Sequence, residues 1–583
     1  MKKEIKTNNI KELFLKLLPI QIFISAASFL SSLVDGLITG NFLSSEAMVA
    51  LGLIMPMSAI LAAIAAIVSG GAGIISGQLM GKGDVKKVNS VFTTSLLLLT
   101  IIGAVLSVLI YLFAKELALL FGANIDALVY TVDYIRGLSF GIIPQLYIPT
   151  CMTFLRMCNK AKVSLTMTIV LAVINASLGL LFVNVFKTGI FGIGFSTSLS
   201  YCFVFLAIVV YFVIQKDLIT FKFQYFDKKM VLSILKYGSP ACLCNILYAV
   251  RNVFLNTYAL QIEGPSAVNA LAILNSCGFQ DSICIGFGAT FTMLSSVFVG
   301  ERDSESLFDL CKTSFIIAEI IQAVRVILTF IFAEKVALAF GASGDALIQT
   351  KQLLSLYSLS APLNIITLIL ISSNQILGNV AYCNGIYIFN CIINPLSCCV
   401  FLPRLIGINA VYSCFALSEI ISLVLMIVVS CFIKKRVVKS YKDLIHFPKN
   451  FEIEDKLSMS IVDIDGVVTV SKKIQDFLLK KGIDSKRAML AGLCMEESCG
   501  NVVEHGFIKD NKDNTVDIFA YIENDEISMR LRDNCVPFNP KERLKMYSQD
   551  DPFKNIGIKM VSKIAKEMNY QTTFGLNILT IKL

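Results

Sequence analysis

Four residues in the last quarter of the chain have types and spacings that suit a nucleotide. In CMEESCGNVVEHGF, Glu497 and Asn501 stand four positions apart, so on a helix both project from one face, a turn apart. Asp533 closes a strand-like alternation in LRDNCVPFNP, and Gly557 opens a helical pattern in NIGIKMV. An amide oxygen can hold Mg2+, a carboxylate can accept a hydrogen bond from an adenine amino group, and a helix N-terminus favours phosphate. A solvated helix face accounts for Glu497 and Asn501 alone, but poorly for all four residues in order. Glu496 is turned about 100° from its neighbour Glu497 and reads as a bystander. Nothing local marks His505 as a base or a ligand.

A second group lies in apolar surroundings. Asp35 sits in a long apolar segment just before Gly40, where a carboxylate costs at least ~2.5 kcal/mol unless it is paired, protonated or facing a polar cavity. Asn175 supplies an amide in another such segment, and Arg251, Asn252 and Asn256 share a third. Arg251 either faces a cavity, where it would attract an anionic cargo, or pairs with Asp281 or Glu419. Asn275, Gln280, Asn364 and Asn390 either line that cavity or join helices by hydrogen bonds.

The elements that position these residues follow from composition. The 583 residues are 55% hydrophobic and 16% charged, with a mean hydropathy of +0.72. A formal charge of +9 is compatible with nucleic acid, but the basic residues fall in short loops between apolar runs. That is the loop pattern of a multi-pass membrane protein, and no nucleic-acid partner is expected. The 17 cysteines lie mostly inside apolar runs and read as small hydrophobes, and the two histidines form no zinc spacing. The first apolar segment lacks a small-residue cleavage site and is expected to stay in the mature chain. Runs able to cross ~30 Å predict about twelve helices, centred near Phe29, Ala65, Gly103, Pro144, Ala172, Phe203, Val250, Phe287, Glu319, Asn364, Ile393 and Ser422. Lys2, Lys3, Lys82, Lys86, Arg156, Lys160, Lys228 and Lys434 mark one side, while Lys115, Lys187, Lys335 and Arg404 are nearly all the other side holds. Both termini are therefore expected to be cytoplasmic, in the plasma membrane.

The membrane part repeats itself at a spacing of about 220 residues. Pro19 matches Pro240, Asp35 matches Asn256, FGANIDAL returns as FGASGDAL, Pro144 matches Pro362, and Asn175 matches Asn394. Two six-helix lobes, 1–215 and 230–436, joined by a connection at 216–229, are expected around a central cavity. On LPIQ, SSLVDGLITGNFLSSEAMVALG, the GKGD loop and this repeat, residues 10–440 resemble the MATE (multidrug and toxic compound extrusion) transporters. The resemblance implies exchange of amphiphilic cationic small molecules for H+ or Na+, with Asp35 as a coupling acid and Asn175 as its polar partner. Arg251 and Asn256 occupy the matching helix of the second lobe as transport residues, without the acids some Na+-coupled members keep there. The family is similar in fold to lipid-linked oligosaccharide flippases, so a flippase remains an alternative.

After a basic linker, 437–450, residues 451–583 change composition to a soluble α+β layer with helices on one face. Strands are expected at Phe451–Met459, Thr515–Ile522, Ile527–Leu531 and Ile578–Leu583, and helices at Val467–Lys481, Ser485–Glu504 and Ile558–Met568. ExxxNxxxHG, complete as Glu497, Asn501, His505 and Gly506, resembles the GHKL (histidine-kinase-like) ATPase fold, most closely the anti-sigma-factor serine kinases. The resemblance implies ATP and Mg2+ as cofactors, with Glu497 as general base, Asn501 as Mg2+ ligand, Asp533 as adenine reader and Gly557 beside the phosphates. Cys535 and Asn555 stand where the family usually has glycine; a Cβ there crowds the nucleotide. The expected function is an ion-driven exporter whose ATP-binding domain regulates it. The alternative is a membrane-anchored serine-kinase-like signalling protein with an anti-anti-sigma-like partner. The absence of GxxxxGK[ST] argues against ATP as the driving force.

Overall fold

A computed structural model of the protein describes residues 2–215, 219–277, 281–402, 407–449, 451, 456–507, 514–523, 525–546 and 556–583. Gln280, Arg404, Asn555 and the start of the inter-lobe connection at Lys216 lie outside them.

The first lobe comprises α1 (Lys2–Phe42), α2 (Ser45–Leu53), α3 (Met55–Gly81), α4 (Val85–Leu112), α5 (Ala114–Leu120), α6 (Ile125–Ser139), α7 (Ile142–Met157), α8 (Ala161–Leu180) and α9 (Gly189–Gln215). The second comprises α10 (Lys228–Glu263), α11 (Pro265–Ser276), α12 (Ser282–Gly300), α13 (Ser304–Ala339), α14 (Asp345–Ser358), α15 (Ser360–Ile376), α16 (Val380–Ile388), α17 (Asn394–Phe401) and α18 (Asn409–Lys434). Among the described residues ten helices are long and apolar enough to span a bilayer, and eleven if a bent pair is counted. The first expected centre, Phe29, falls in the 41-residue α1, outside that count.

The bent pair corrects the helix expected around Pro144. The chain breaks there into α6 and α7, at 53° to one another. Proline has no N–H to give and fits the first turn of a helix; Pro144 stands in the first turn of α7.

The lobes meet along α1 with α12 and along α3 with α10 and α12. Glycine lets the backbones touch. A Cβ on Gly71 would overlap the Ile234 carbonyl, one on Gly238 the Ile67 carbonyl, one on Gly81 that of Val297, and one on Gly300 that of Gln78. Such small-residue seams are how membrane helices approach closely. The Gly81 and Gly300 contacts lie beside the turns that the C-terminal domain covers.

The C-terminal domain is a five-stranded antiparallel sheet in the order β1-β2-β3-β5-β4. The strands are β1 (Lys456–Ile461), β2 (Val516–Glu523), β3 (Glu526–Asp533), β4 (Glu567–Thr573) and β5 (Leu576–Lys582). Its helices are α19 (Ile464–Lys480), α20 (Ser485–His505), α21 (Pro540–Met546) and α22 (Ile556–Ile564). Asp463 caps α19 through the Gly466 amide, and Asp484 caps α20 through those of Lys486 and Arg487. Val470, Ile474, Leu478, Ala491, Met495 and Ile518 are fully buried between helices and sheet.

Two expectations are corrected here. The helix expected to reach Met568 stops at Ile564, because Glu567–Thr573 form β4, paired with β5, with Met568 buried toward the helices and Gln571 and Thr573 buried on the opposite face. The linker, expected only as a basic stretch, is built into the second lobe. Asp443 accepts from Lys434 Nζ (3.1 Å), Arg436 Nη2 (2.7 Å) and the Lys439 amide (3.0 Å). The His446 amide donates to Asn374 Oδ1 at 3.0 Å, and Asn379 Nδ2 donates to the His446 carbonyl at 2.6 Å.

Candidate functional site

In the first lobe three helices bring polar groups to one point. Asp35 on α1 accepts from Asn175 Nδ2 on α8 at 2.7 Å, and Thr197 Oγ1 on α9 lies 3.1 Å from Asn175 Oδ1 and 3.5 Å from Asp35 Oδ2. Asn175 is 2% exposed. The rings of Tyr134 and Tyr201 lie within electrostatic reach of the carboxylate. Thr197 was not legible as a site residue; the run Ser196, Thr197, Ser198, Ser200 in α9 is the trace it leaves. An acid held by an amide and a hydroxyl in an apolar lobe can exchange a proton or a small cation against cargo.

The second lobe does not copy this arrangement. Asn394, the repeat of Asn175, donates instead to the Ser418 carbonyl (3.2 Å) and Ser422 Oγ (3.3 Å). Asn256 is half-buried on α10, and its side chain makes no hydrogen bond among the described residues. Arg251 joins neither of its expected partners: its guanidinium lies over the rings of Tyr248 (4.6 Å) and Phe415 (5.0 Å). Asp281 is 3.9 Å from Arg325 and accepts from Tyr357, while Glu419 accepts from Asn364 at 2.8 Å. Asn275 is exposed on α11.

In the C-terminal domain the four sequence-selected residues converge. A pocket is lined by Glu497, Asn501, Asp533, Phe538, Ile558 and Tyr570. Asn501 Nδ2 donates to Glu497 Oε1 at 2.9 Å, leaving Asn501 Oδ1 to a ligand. Gly557 is packed so closely on Glu497 that a Cβ there would overlap the carboxylate. Asp533 Oδ1 accepts from Asn577 Nδ2 (2.7 Å) and from the Cys535 amide (3.0 Å). Burial pushes the Asp533 carboxyl up to about 6, against the pull of those two bonds. Asn577 escaped sequence reading because only the register of β5 against β3 sets it opposite Asp533.

These residues fit a magnesium nucleotide. Asp533 has Oδ2 to offer an adenine amino group, and the missing Cβ of Gly557 leaves backbone for phosphate once Glu497 withdraws. Among the described residues no cluster of three or more His, Cys, Asp or Glu could hold a metal by itself. Mg2+ would therefore be held by Asn501 together with the phosphates.

Comparison with known proteins places both parts. Residues 21–181 and 240–400, the two repeats, each match the MatE family model, and 462–583 match the histidine kinase-like ATPase domain. The chain is 24% identical over 322 residues to the probable multidrug resistance protein YoeA of Bacillus subtilis, covering 53% of this chain and 68% of that one. It is 24% identical over 221 residues to the multidrug export protein MepA of Staphylococcus saprophyticus, covering 37% of this chain and 49% of that one. Among solved structures, a multidrug resistance MATE family transporter in an outward-facing conformation superimposes with a TM-score of 0.68 at 19% identity, over 73% of this chain and 96% of that one. A MOP superfamily transporter from Pyrococcus furiosus gives 0.67 at 19% identity, over 73% and 97%. The chain is a multi-pass membrane protein that belongs to the MatE family and carries a C-terminal histidine kinase-like ATPase domain.

Proposed function

We propose that the membrane part exports amphiphilic small molecules in exchange for H+ or Na+, and that the C-terminal domain binds Mg-ATP and regulates this export. The observation that carries the reading is the Asp35–Asn175–Thr197 cluster, an acid held inside an apolar lobe. The names of YoeA and MepA support a multidrug cargo. The distribution of lysines supports cytoplasmic termini, which gives the nucleotide pocket access to cellular ATP. A regulatory rather than a driving role is supported by the pocket's lying in a different domain from the transport cluster.

The test is dye flux in proteoliposomes under an imposed pH or Na+ gradient. Asp35→Asn keeps an acceptor for Asn175 and is expected to fold normally while gradient-driven export falls to background. Undiminished export by the variant refutes the assignment. For the domain, Mg-ATP binding to the full chain is expected to vanish in Asn501→Ala.

A further inference from the structure

The C-terminal sheet has a second face that the nucleotide does not use. On β3, Met529, Leu531 and Asp533 face the helices and the pocket, while Ser528, Arg530 and Arg532 face the membrane part. Arg532, with its side chain 3% exposed, donates to Glu301 Oε2 at 2.6 Å, Asp517 Oδ2 at 2.9 Å, Ser306 Oγ at 3.2 Å and Asp303 Oδ2 at 3.4 Å. It lies over the Phe298 ring at 5.1 Å. Glu301 and Asp303 form the turn between α12 and α13, in the second lobe.

The repeat places an equivalent turn, Gly81-Lys82-Gly83-Asp84, between α3 and α4. That turn meets the same sheet. Gln571 Nε2 on β4 donates to the Met80 carbonyl, Thr573 Oγ1 lies 3.5 Å from Met80 Sδ, and Gly83 packs beside Asn569 and Thr580. The two turns share their geometry. Gly83 and Arg302 both take positive φ (77° and 55°), and Asp84 and Asp303 both cap the helix that follows. One sheet therefore spans both lobes where α3 and α12 touch through Gly81 and Gly300.

The pocket reaches this seat by two short routes. Arg532 is the chain neighbour of Asp533. At the other end, Gly557 opens α22, and only Ala565 and Lys566 separate α22 from β4. Seating phosphate at Gly557 requires Glu497 and α22 to part, and so short a connection passes that movement to Gln571 and Thr573.

We infer that the sheet is a nucleotide-controlled brace between the lobes. Without nucleotide it holds the two repeat-related turns together and keeps this side of the transporter closed; bound nucleotide draws β4 off the first turn and frees this side to open. The control rests on the nucleotide binding proposed above. Nucleotide shifts the equilibrium only by its preference for the released state, and by reciprocity a released chain binds nucleotide more tightly.

The test is hydrogen exchange of the full chain in lipid nanodiscs, read at amides 79–84 and 299–303, with β2 as a folding control. Mg-ATP is expected to speed exchange at 79–84 by roughly tenfold, as a local opening does, to leave 299–303 slow under its Arg532 anchor, and to have no effect in Asn501→Ala. Arg532→Gln, and the uncharged change Gln571→Ala, are expected to exchange fast with no nucleotide while β2 stays protected. If a fluorescent ATP analogue binds and exchange does not change, the control is overturned and the nucleotide reading stands. If no nucleotide binds, both fall. Slow exchange in both variants overturns the brace itself.

Discussion

Asp533 allows nucleotide recognition and stability to be separated by pH. Its carboxyl titrates at about 6 in the fold against 3.8 as a free side chain. The nearby Cys499, Cys535 and Tyr570 are all pushed up by burial and stay neutral from pH 5 to 8. Only the ionised carboxylate is a full acceptor for the adenine amino group. About nine-tenths of Asp533 is ionised at pH 7 and about a tenth at pH 5, so affinity is expected to fall about tenfold across that range. Asp533→Asn presents an NH2 where the amino group docks and should abolish binding at every pH. Stability runs the other way. Between pH 3.8 and about 6 the folded domain holds more protons than the unfolded chain, so stability falls as pH rises through that window and is level above it. The deficit at pH 7 is about 3 kcal/mol, from a shift of about two units, and Asp533→Asn should recover much of it while keeping the acceptor for Asn577. Calorimetric Kd and thermal melts of the full chain at pH 5, 6, 7 and 8 read both effects, with adenosine, which carries no phosphate, as the control for titration of the nucleotide's own phosphate. A flat wild-type affinity profile, or a variant that is both less stable and still able to bind, refutes the reasoning.

Two further predictions concern the closed side. Gly300→Ala sets a methyl against the Gln78 backbone, which cannot rotate away; such overpacking costs about 1–3 kcal/mol, enough to shift the closed form about 5- to 150-fold toward opening, read as faster hydrogen exchange at amides 79–84. Asp443, held down to about 2 mainly by the Lys439 amide and Lys434, carries a stabilising charge that is present above its unfolded pKa and lost as pH falls through 2. Linker 437–450 is therefore expected to resist protease at pH 4 to 5 and to be cut rapidly in Asp443→Asn.

How much of this was legible depends on the kind of contact. Asp35, Asn175 and the four pocket residues could be named because one residue type at one place carries the chemistry. The repeat was legible because Pro19 and Pro240 stand inside equivalent helices, α1 and α10. Partner choice was not. Arg251 was left open between a cavity and a pairing with Asp281 or Glu419, and it is Arg325 that stands beside Asp281. Which charges face one another is set by the rotation of packed helices, and periodicity does not fix that rotation. The docking face was hidden for a related reason. Ser528, Arg530 and Arg532 alternate with apolar residues and so read as the wet side of a half-buried strand; they are dry because another part of the chain covers them.

The brace also explains why the seat is chemically lopsided. A single sheet cannot present the same face to two repeat-related turns, so it holds one by charge and the other by neutral bonds. Arg532 gives the second lobe charge-assisted bonds to buried acids, worth about 1.5–3 kcal/mol each, whereas Gln571 and Thr573 give the first lobe neutral ones worth about 0.5–1.5. Removing one member of the charged cluster would leave buried acids uncompensated, so that side is a fixed anchor. The neutral side can part and re-form, and it lies on β4, the strand joined to α22 and the phosphate end of the pocket. The weaker seat and the moving element are the same strand, as a latch released by nucleotide requires.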